Sequence, residues 1–332
     1  MKKETLTTIA ERTGFSITTI SRSLSGKAEQ YRISAATVET IRKEAARCGY
    51  DSGRKSHRDD ELNYKTIGLM LPSISNPYFA DLASVTISEL SKIGYSIIIM
   101  DTMESSQKLM EGIRSLIARK VEGIIAVPCG EYTPEIDTLG KEIPIVLMDR
   151  FYEESPIPYV ATNNYQGAFE ATNKLIAKGH RKIACIQGVE ASMPNKERIK
   201  GFMDAMNGAG LGDEASISGD EFSIQNGYTE MKLLLEQPDR PSAIFALSNT
   251  ILMGAFKAIK EAGLRIPEDI AMIGFDDNEY LDYLSPSIYR VGQPLESMAT
   301  LAVKILMDKI SGGNHFNSRI RLAPAMIPGD SL

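Results

Sequence analysis

Long apolar runs are missing from this chain of 332 residues. A membrane-spanning helix needs about 20 consecutive apolar residues, and the longest stretch here, around Ile97-Ile98-Ile99-Met100, is the size of a strand. Cysteine is scarce. Cys48, Cys129 and Cys185 are scattered and odd in number, which argues against a disulfide framework and fits reduced thiols in a cytoplasm. The segment from Met1 to Thr8 carries positive charges but no apolar stretch behind them, so export is not expected. His57, His180 and His315 stand apart, and no Cys or His pair has zinc spacing; His180 is expected to close a helix against its last carbonyls. No Walker loop is present, and Gly208-Ala209-Gly210-Leu211-Gly212 does not follow a strand, which removes the dinucleotide fingerprint. The terminal Gly329-Asp330-Ser331-Leu332 spells an esterase motif. That motif needs a following helix and distant Asp and His partners to activate its serine, so the match is read as coincidence. With no activated nucleophile, metal cluster, cofactor site or phosphate loop in view, an enzyme is the weakest reading.

The charge is unevenly spread. Residues 1–58 hold twelve Lys/Arg against six Asp/Glu, whereas the remainder holds 25 against 37. A basic head on an acidic body suggests that the head meets a polyanion; the plainer alternative is chance variation on a solvated surface. An apolar fraction of 43% excludes wholesale disorder.

Residues 5–48 read as three short helices. Leu6, Ile9 and Ala10 share a face, and Gly14 ends the first. Ser16 caps a second, with Ile17, Ile20 and Leu24 at helical spacing. Ser34 caps a third, striped by Val38, Ile41, Ala45 and Cys48 and closed by Gly49. Residues 50–64 form a polar linker. From residue 65 onward, strands at 66–71, 96–101, 123–128, 144–149, 159–162, 182–187, 242–247 and 270–275 alternate with helices such as 78–93, 165–178, 195–209, 249–263 and 294–311. This rhythm predicts an α/β body of parallel sheets covered by helices. The number of units favours two similar lobes, an N-lobe of about 65–162 and 293–322 and a C-lobe of about 163–292 and 323–332. Ligands in such folds sit beyond the carboxyl ends of the strands.

Two short helices joined at Gly14 on a basic head predict a helix-turn-helix, although a capped surface helix would show much of the same pattern. The run from Thr5 through Ala10, Gly14, Ser16, Ser21 and Arg22 to Gly26 resembles, at every constrained position, the DNA-binding head of the LacI/GalR family of bacterial transcription regulators. The resemblance implies that Ile17, Thr18 and Arg22 face base edges. It implies that Ser16, Thr19 and Ser21 hold phosphates, with Leu6, Tyr31, Ser34 and Thr37 as further DNA-contact candidates.

The body continues the resemblance through Ile67-Gly68-Leu69-Met70-Leu71-Pro72, Asn76-Pro77-Tyr78-Phe79, Asp149-Arg150, Lys178-Gly179-His180, Glu197-Arg198, Gly274-Phe275-Asp276-Asp277 and Gln293-Pro294. It implies a two-lobed periplasmic-binding type of fold. Asp149 and Asp276 follow strands, and carboxylates there accept bidentately from sugar hydroxyls. Arg198 supplies a planar donor fork, Asn249 a donor and an acceptor, and Tyr78, Phe79 and Phe222 stacking faces. With Gln293, these residues line the family's effector cleft. Each also has an ordinary reading: the aspartates as helix caps, Phe79 as core, Arg198 as a solvated charge. The family's purine-binding branch carries an additional Arg between Gly188 and Arg198. Here that loop has none, which favours a small sugar or sugar derivative.

One segment departs from the family. Members usually follow the head with a short hinge helix whose Leu wedges into the minor groove. An ungapped count puts Gly53 where that helix needs a better former and Asp59 where it needs the apolar wedge, so reduced bending of DNA is expected. The expected protein is a cytoplasmic homodimer on an inverted-repeat operator, with a small effector between its lobes and no membrane partner. A solute-binding receptor shares the body fold; the added head argues against it.

Overall fold

The computed structural model describes residues 5–48, 50, 65–313 and 319–332. Gly49, the hinge positions Gly53 and Asp59, and His57 and His315 lie outside the described residues. Two compact units divide the chain at Tyr64 and Lys65.

The first unit packs α1 (Leu6–Thr13), α2 (Ile17–Leu24) and α3 (Ala35–Arg47). Ile9, Ile20, Ile41 and Ala45 are its buried core, one or two residues from each helix. The helix boundaries follow from local chemistry. Gly14, at φ +72°, takes the left-handed cap that ends α1. Ser16 and Ser34 each accept the amide of the residue three positions on, at 3.1 and 3.2 Å, and so start α2 and α3. The chain leaves α3 at Cys48.

The second unit runs β1 (Thr66–Leu71), α4 (Pro77–Lys92), β2 (Ser96–Asp101), α5 (Ser106–Ala118), β3 (Gly123–Ala126), α6 (Glu135–Glu142), β4 (Ile145–Met148) and β5 (Tyr159–Thr162). It continues through α7 (Asn164–Ala177), β6 (Ile183–Ile186), α8 (Met193–Gly208), β7 (Ala215–Ser218), α9 (Ile224–Leu235), β8 (Ala243–Ala246), α10 (Asn249–Glu261) and β9 (Ala271–Phe275). It ends with β10 (Tyr289–Gly292), α11 (Leu295–Ile310), β11 (Arg319–Leu322) and β12 (Ala325–Ile327). Among the described residues these strands form two six-stranded sheets, ordered β11-β5-β4-β3-β1-β2 and β12-β10-β9-β8-β6-β7. All pairings are parallel except β10 with β12. Central strands such as β3, β4, β6 and β8 are buried along their whole length, as helices on both faces of a parallel sheet require.

The chain passes between sheets after β5, after β10 and after β11. Thr162 ends β5 and Gln293 follows β10, so two of these crossings carry polar side chains. The anticipated strands at 123–128, 144–149, 182–187 and 242–247 are each shorter, ending where the backbone turns out to form loops. Four strands were not anticipated. β7 and β11 are short, part-polar strands at sheet edges, β12 spans three residues, and β10 is four residues long and contains an arginine. Ser331 of the esterase-like tetrapeptide is fully buried, donating to the Met272 carbonyl at 2.6 Å and accepting from the Tyr289 amide at 2.9 Å. It fastens the chain end to the second sheet. The His180 ring, expected on helix carbonyls, instead meets the Ser242 hydroxyl at 3.0 Å.

Candidate effector cleft and nucleic-acid interface

Asp149 and Asp276 each occupy the first position after a strand, β4 and β9. Both take the left-handed backbone region, with φ of +67° and +78°. That region is uncommon for residues other than glycine, and Asp tolerates it better than most. It turns both carboxylates into one small space between the sheets. Tyr78 enters from the start of α4, where Asn76 caps the helix and Pro77 fits its first turn. Its hydroxyl donates to Asp149 at 2.5 Å and also lies 3.2 Å from the Gln293 Oε1. Gln293 donates through Nε2 to Asp276 at 2.7 Å, and its Oε1 accepts from Thr162 at 2.6 Å. One hydrogen-bonded chain thus joins Tyr78, Asp149, Gln293 and Asp276 across both sheets.

Arg198 is buried, contrary to a solvated charge. Its Nε donates to Asn164 at 2.8 Å, its Nη1 to the Leu247 carbonyl at 2.6 Å, and its guanidinium lies 3.6 Å from the Phe275 ring centre. Burial lowers its pKa, offset in part by the charges of Asp276 and Asp149. Burial likewise raises the pKa of Asp149, against the pull of Arg150 and the Tyr78 hydrogen bond. The Tyr78 hydroxyl is held neutral by burial and by Asp149. Arg150 forms a bidentate pair with Glu104 at 2.6 and 2.9 Å, and is buried beside Phe79 and Phe222. Phe222 presses on Gly188 so closely that a Cβ there would run into the ring.

Tyr78, Phe79, Asp149, Arg198, Phe222, Asp276 and Gln293 line one cavity of about 30 Å³. This volume is roughly that of one water, because the polar groups already satisfy one another. Phe79 serves twice, at the cavity wall and in the core beneath it. Asn249 does not line the space: its amide donates to Asp276 at 3.2 Å and its Nδ2 to Asn278 at 2.5 Å. Asp276 therefore also tethers the start of α10, so its capping role and its place in the cavity coexist. Sequence reasoning missed Arg150 with Glu104, Thr162, Asn164, and Asn278 with its partner Asp81. Two of these had a signal: Arg150 directly follows a strand-end aspartate, and Thr162 ends a strand.

In the first unit, Ser16, Ile17, Thr18 and Ser21 are exposed along α2, and Arg22 is half-buried. Ile17, 47% exposed, is an apolar side chain on an otherwise hydroxyl-rich face. The Arg22 guanidinium stacks 3.7 Å from the Tyr31 ring centre. Leu6, Ser21, Arg22 and Tyr31 border one recess of about 300 Å³ that Lys27 also lines. Thr19 and Thr37 are turned to their capping serines, Ser16 and Ser34, at 2.8 Å each.

Among the described residues no group of His, Cys, Asp or Glu is arranged to hold a metal, and no helix is long and apolar enough to cross a membrane.

Residues 172–332 match the family model of a periplasmic binding protein-like domain. The chain is 32% identical over 270 residues to the ribose operon repressor of Haemophilus influenzae, covering 81% of each chain. It is 29% identical over 327 residues to the HTH-type transcriptional repressor PurR of Vibrio atlanticus, covering 97% of each. Among solved structures, a LacI family transcriptional regulator from Enterococcus faecium with bound ribose superposes with a TM-score of 0.73. It is 27% identical, over 80% of this chain and 98% of that one.

Proposed function

The chain belongs to the LacI/GalR family of DNA-binding transcription regulators, and from that premise we propose that the space between its two sheets binds a neutral polyhydroxylated effector, a small sugar or sugar derivative. The observation that carries this reading is the hydrogen-bonded chain Tyr78–Asp149–Gln293–Asp276, built from both sheets around a small cavity. A ring polyol offers hydroxyl donors to the two carboxylates and acceptors to Arg198, replacing each protein–protein hydrogen bond with an equivalent one. Arg150 is neutralised by Glu104, which leaves two aspartates against Arg198. That balance disfavours an anionic ligand. The likeness to a ribose-bound regulator supports the same class.

Admitting such a ligand requires the cavity to widen, so the lobes move relative to each other. Two sites with differential affinity for the two lobe arrangements are then linked reciprocally. In the head, Arg22 and the exposed face of α2 are the base-reading surface, Ser16 and Ser21 the phosphate-facing one, and Tyr31 the platform that orients Arg22. A homodimer sets two such heads on an inverted repeat. The test is a thermal-shift screen of pentoses, hexoses and nucleosides. Stabilisation by a sugar, lost in Asp276→Ala, supports the reading, whereas stabilisation by a nucleoside alone contradicts it.

A further inference from the structure

A second, larger cavity opens beside the first. It measures about 360 Å³, within the roughly 300–1,000 Å³ typical of small-molecule sites, against about 30 Å³ for the inner space. It lies beyond the carboxyl ends of β3 and β4, and the first residues of α8 close its far wall. Arg150 lines both spaces, which places them side by side, and Glu104 holds it by a hydrogen-bonded pair. Glu104 itself sits at φ +54°, directly after Met103 at φ +49°. Two consecutive left-handed residues mark a backbone whose surroundings hold it in place.

The walls are aromatic and fixed. The Tyr132 and Tyr152 rings lie 5.6 Å apart. Their hydroxyls are committed to Asp137 at 2.5 Å and to the Cys129 carbonyl at 2.9 Å, so it is their carbon surfaces that remain for contact. The rim carries Glu131, Glu154 and Lys196, all exposed. Because Arg150 is already paired, the charge facing this space is two carboxylates against one ammonium. That environment repels a phosphate and suits a neutral group whose hydroxyls both donate and accept.

Building on the polyol reading of the inner space, we propose that the effector is a glycoside of two units. One ring occupies the inner space once the lobes part, and a second, uncharged hydroxylated unit rests on Tyr132 and Tyr152 within reach of Lys196. This assignment separates a disaccharide-type ligand from a free monosaccharide and from a sugar phosphate.

Calorimetric titration of the full chain tests it, using ribose, glucose, galactose, maltose, cellobiose, lactose, sucrose, glucose 6-phosphate and ribose 5-phosphate as probes. At least one disaccharide is expected to bind about tenfold or more tighter than the monosaccharides that compose it. Lys196→Ala, and separately Tyr132→Ala, should remove that advantage while leaving monosaccharide affinity in place. A monosaccharide or a sugar phosphate as the tightest probe overturns the two-unit assignment. So does a disaccharide whose affinity is untouched by both variants, or the failure of every probe to bind. Asp276→Ala distinguishes the layers. If saccharide binding survives it, the inner-space reading itself has failed; if it abolishes binding while Lys196→Ala and Tyr132→Ala change nothing, the inner-space reading stands and the outer-unit assignment fails.

Discussion

The head and the cleft are built by opposite strategies. In the head, the four core side chains lie within 36 positions of one another, and each helix is started or stopped by a residue that directly flanks it. In the cleft, Tyr78 meets Gln293 across 215 positions and Asp149 across 71. A four-residue core has little to lose. A network spread over two sheets is supported by the large cores beneath it, so it can change partners without unfolding. In the function proposed above, the first arrangement serves to present one fixed surface to DNA, and the second to exchange its contacts for those of a ligand.

The largest effect expected from this contrast is on the head. Ile20→Ala or Ile41→Ala should cost about 2–5 kcal/mol, the usual range for emptying a buried site, and in so small a core that abolishes folding of the unit. Circular dichroism and limited proteolysis should show residues 5–48 unfolded while the thermal transition of residues 65–332 stays in place. A concerted loss of both units would erase the comparison. Arg198→Ala comes next. It strips donors from Asn164 and the Leu247 carbonyl and uncovers Phe275, which should destabilise the body by about 1–3 kcal/mol. Chemical denaturation should still give a cooperative transition, with saccharide stabilisation gone.

Smaller and confined to DNA, Arg22→Ala should reduce discrimination between selected and random DNA by about 1–3 kcal/mol. Footprinting with an unchanged ratio would remove Arg22 from the base-reading surface. Ser16→Ala should cost about 1 kcal/mol of head stability through the lost cap and weaken both kinds of DNA alike. The smallest effect concerns His180. Burial, with the nearby charge of Lys178, lowers its pKa below the ordinary value of about 6.5. The folded state therefore binds the proton less readily than the unfolded one. Its stabilisation is complete above that value and is lost as pH falls through it towards the lowered value. His180→Gln should flatten the stability profile of the body below about pH 6.5, read from thermal melts across that window.

Legibility in the sequence follows the same division. Helix starts at Ser16 and Ser34 and the stop at Gly14 were readable because each is a local exchange of hydrogen bonds. The alternation of strands and helices was readable from burial on two faces. β7 and β11 were not, since edge strands are half exposed and their part-polar residues resemble loops. Arg198 is named from the sequence as a donor fork of the cleft, but nothing adjacent in sequence reveals that Phe275, Asn164 and the Leu247 carbonyl converge on it. The Arg150–Glu104 pair, 46 positions apart, was hidden for the same reason. Residue chemistry pointed to the strand-end aspartates; only the fold shows that both are turned inward by left-handed backbone.

The most direct test joins cleft and head. DNA enriched from a random pool by the protein itself is titrated by fluorescence anisotropy, with and without the tightest saccharide of the panel, for wild type and Asp276→Ala. The account predicts that the sugar changes wild-type DNA affinity by roughly 5–150-fold, the usual span of such couplings. It also predicts that Asp276→Ala binds DNA as ligand-free wild type does and ignores the sugar. An Asp276→Ala protein that responds at the wild-type sugar concentration would contradict it.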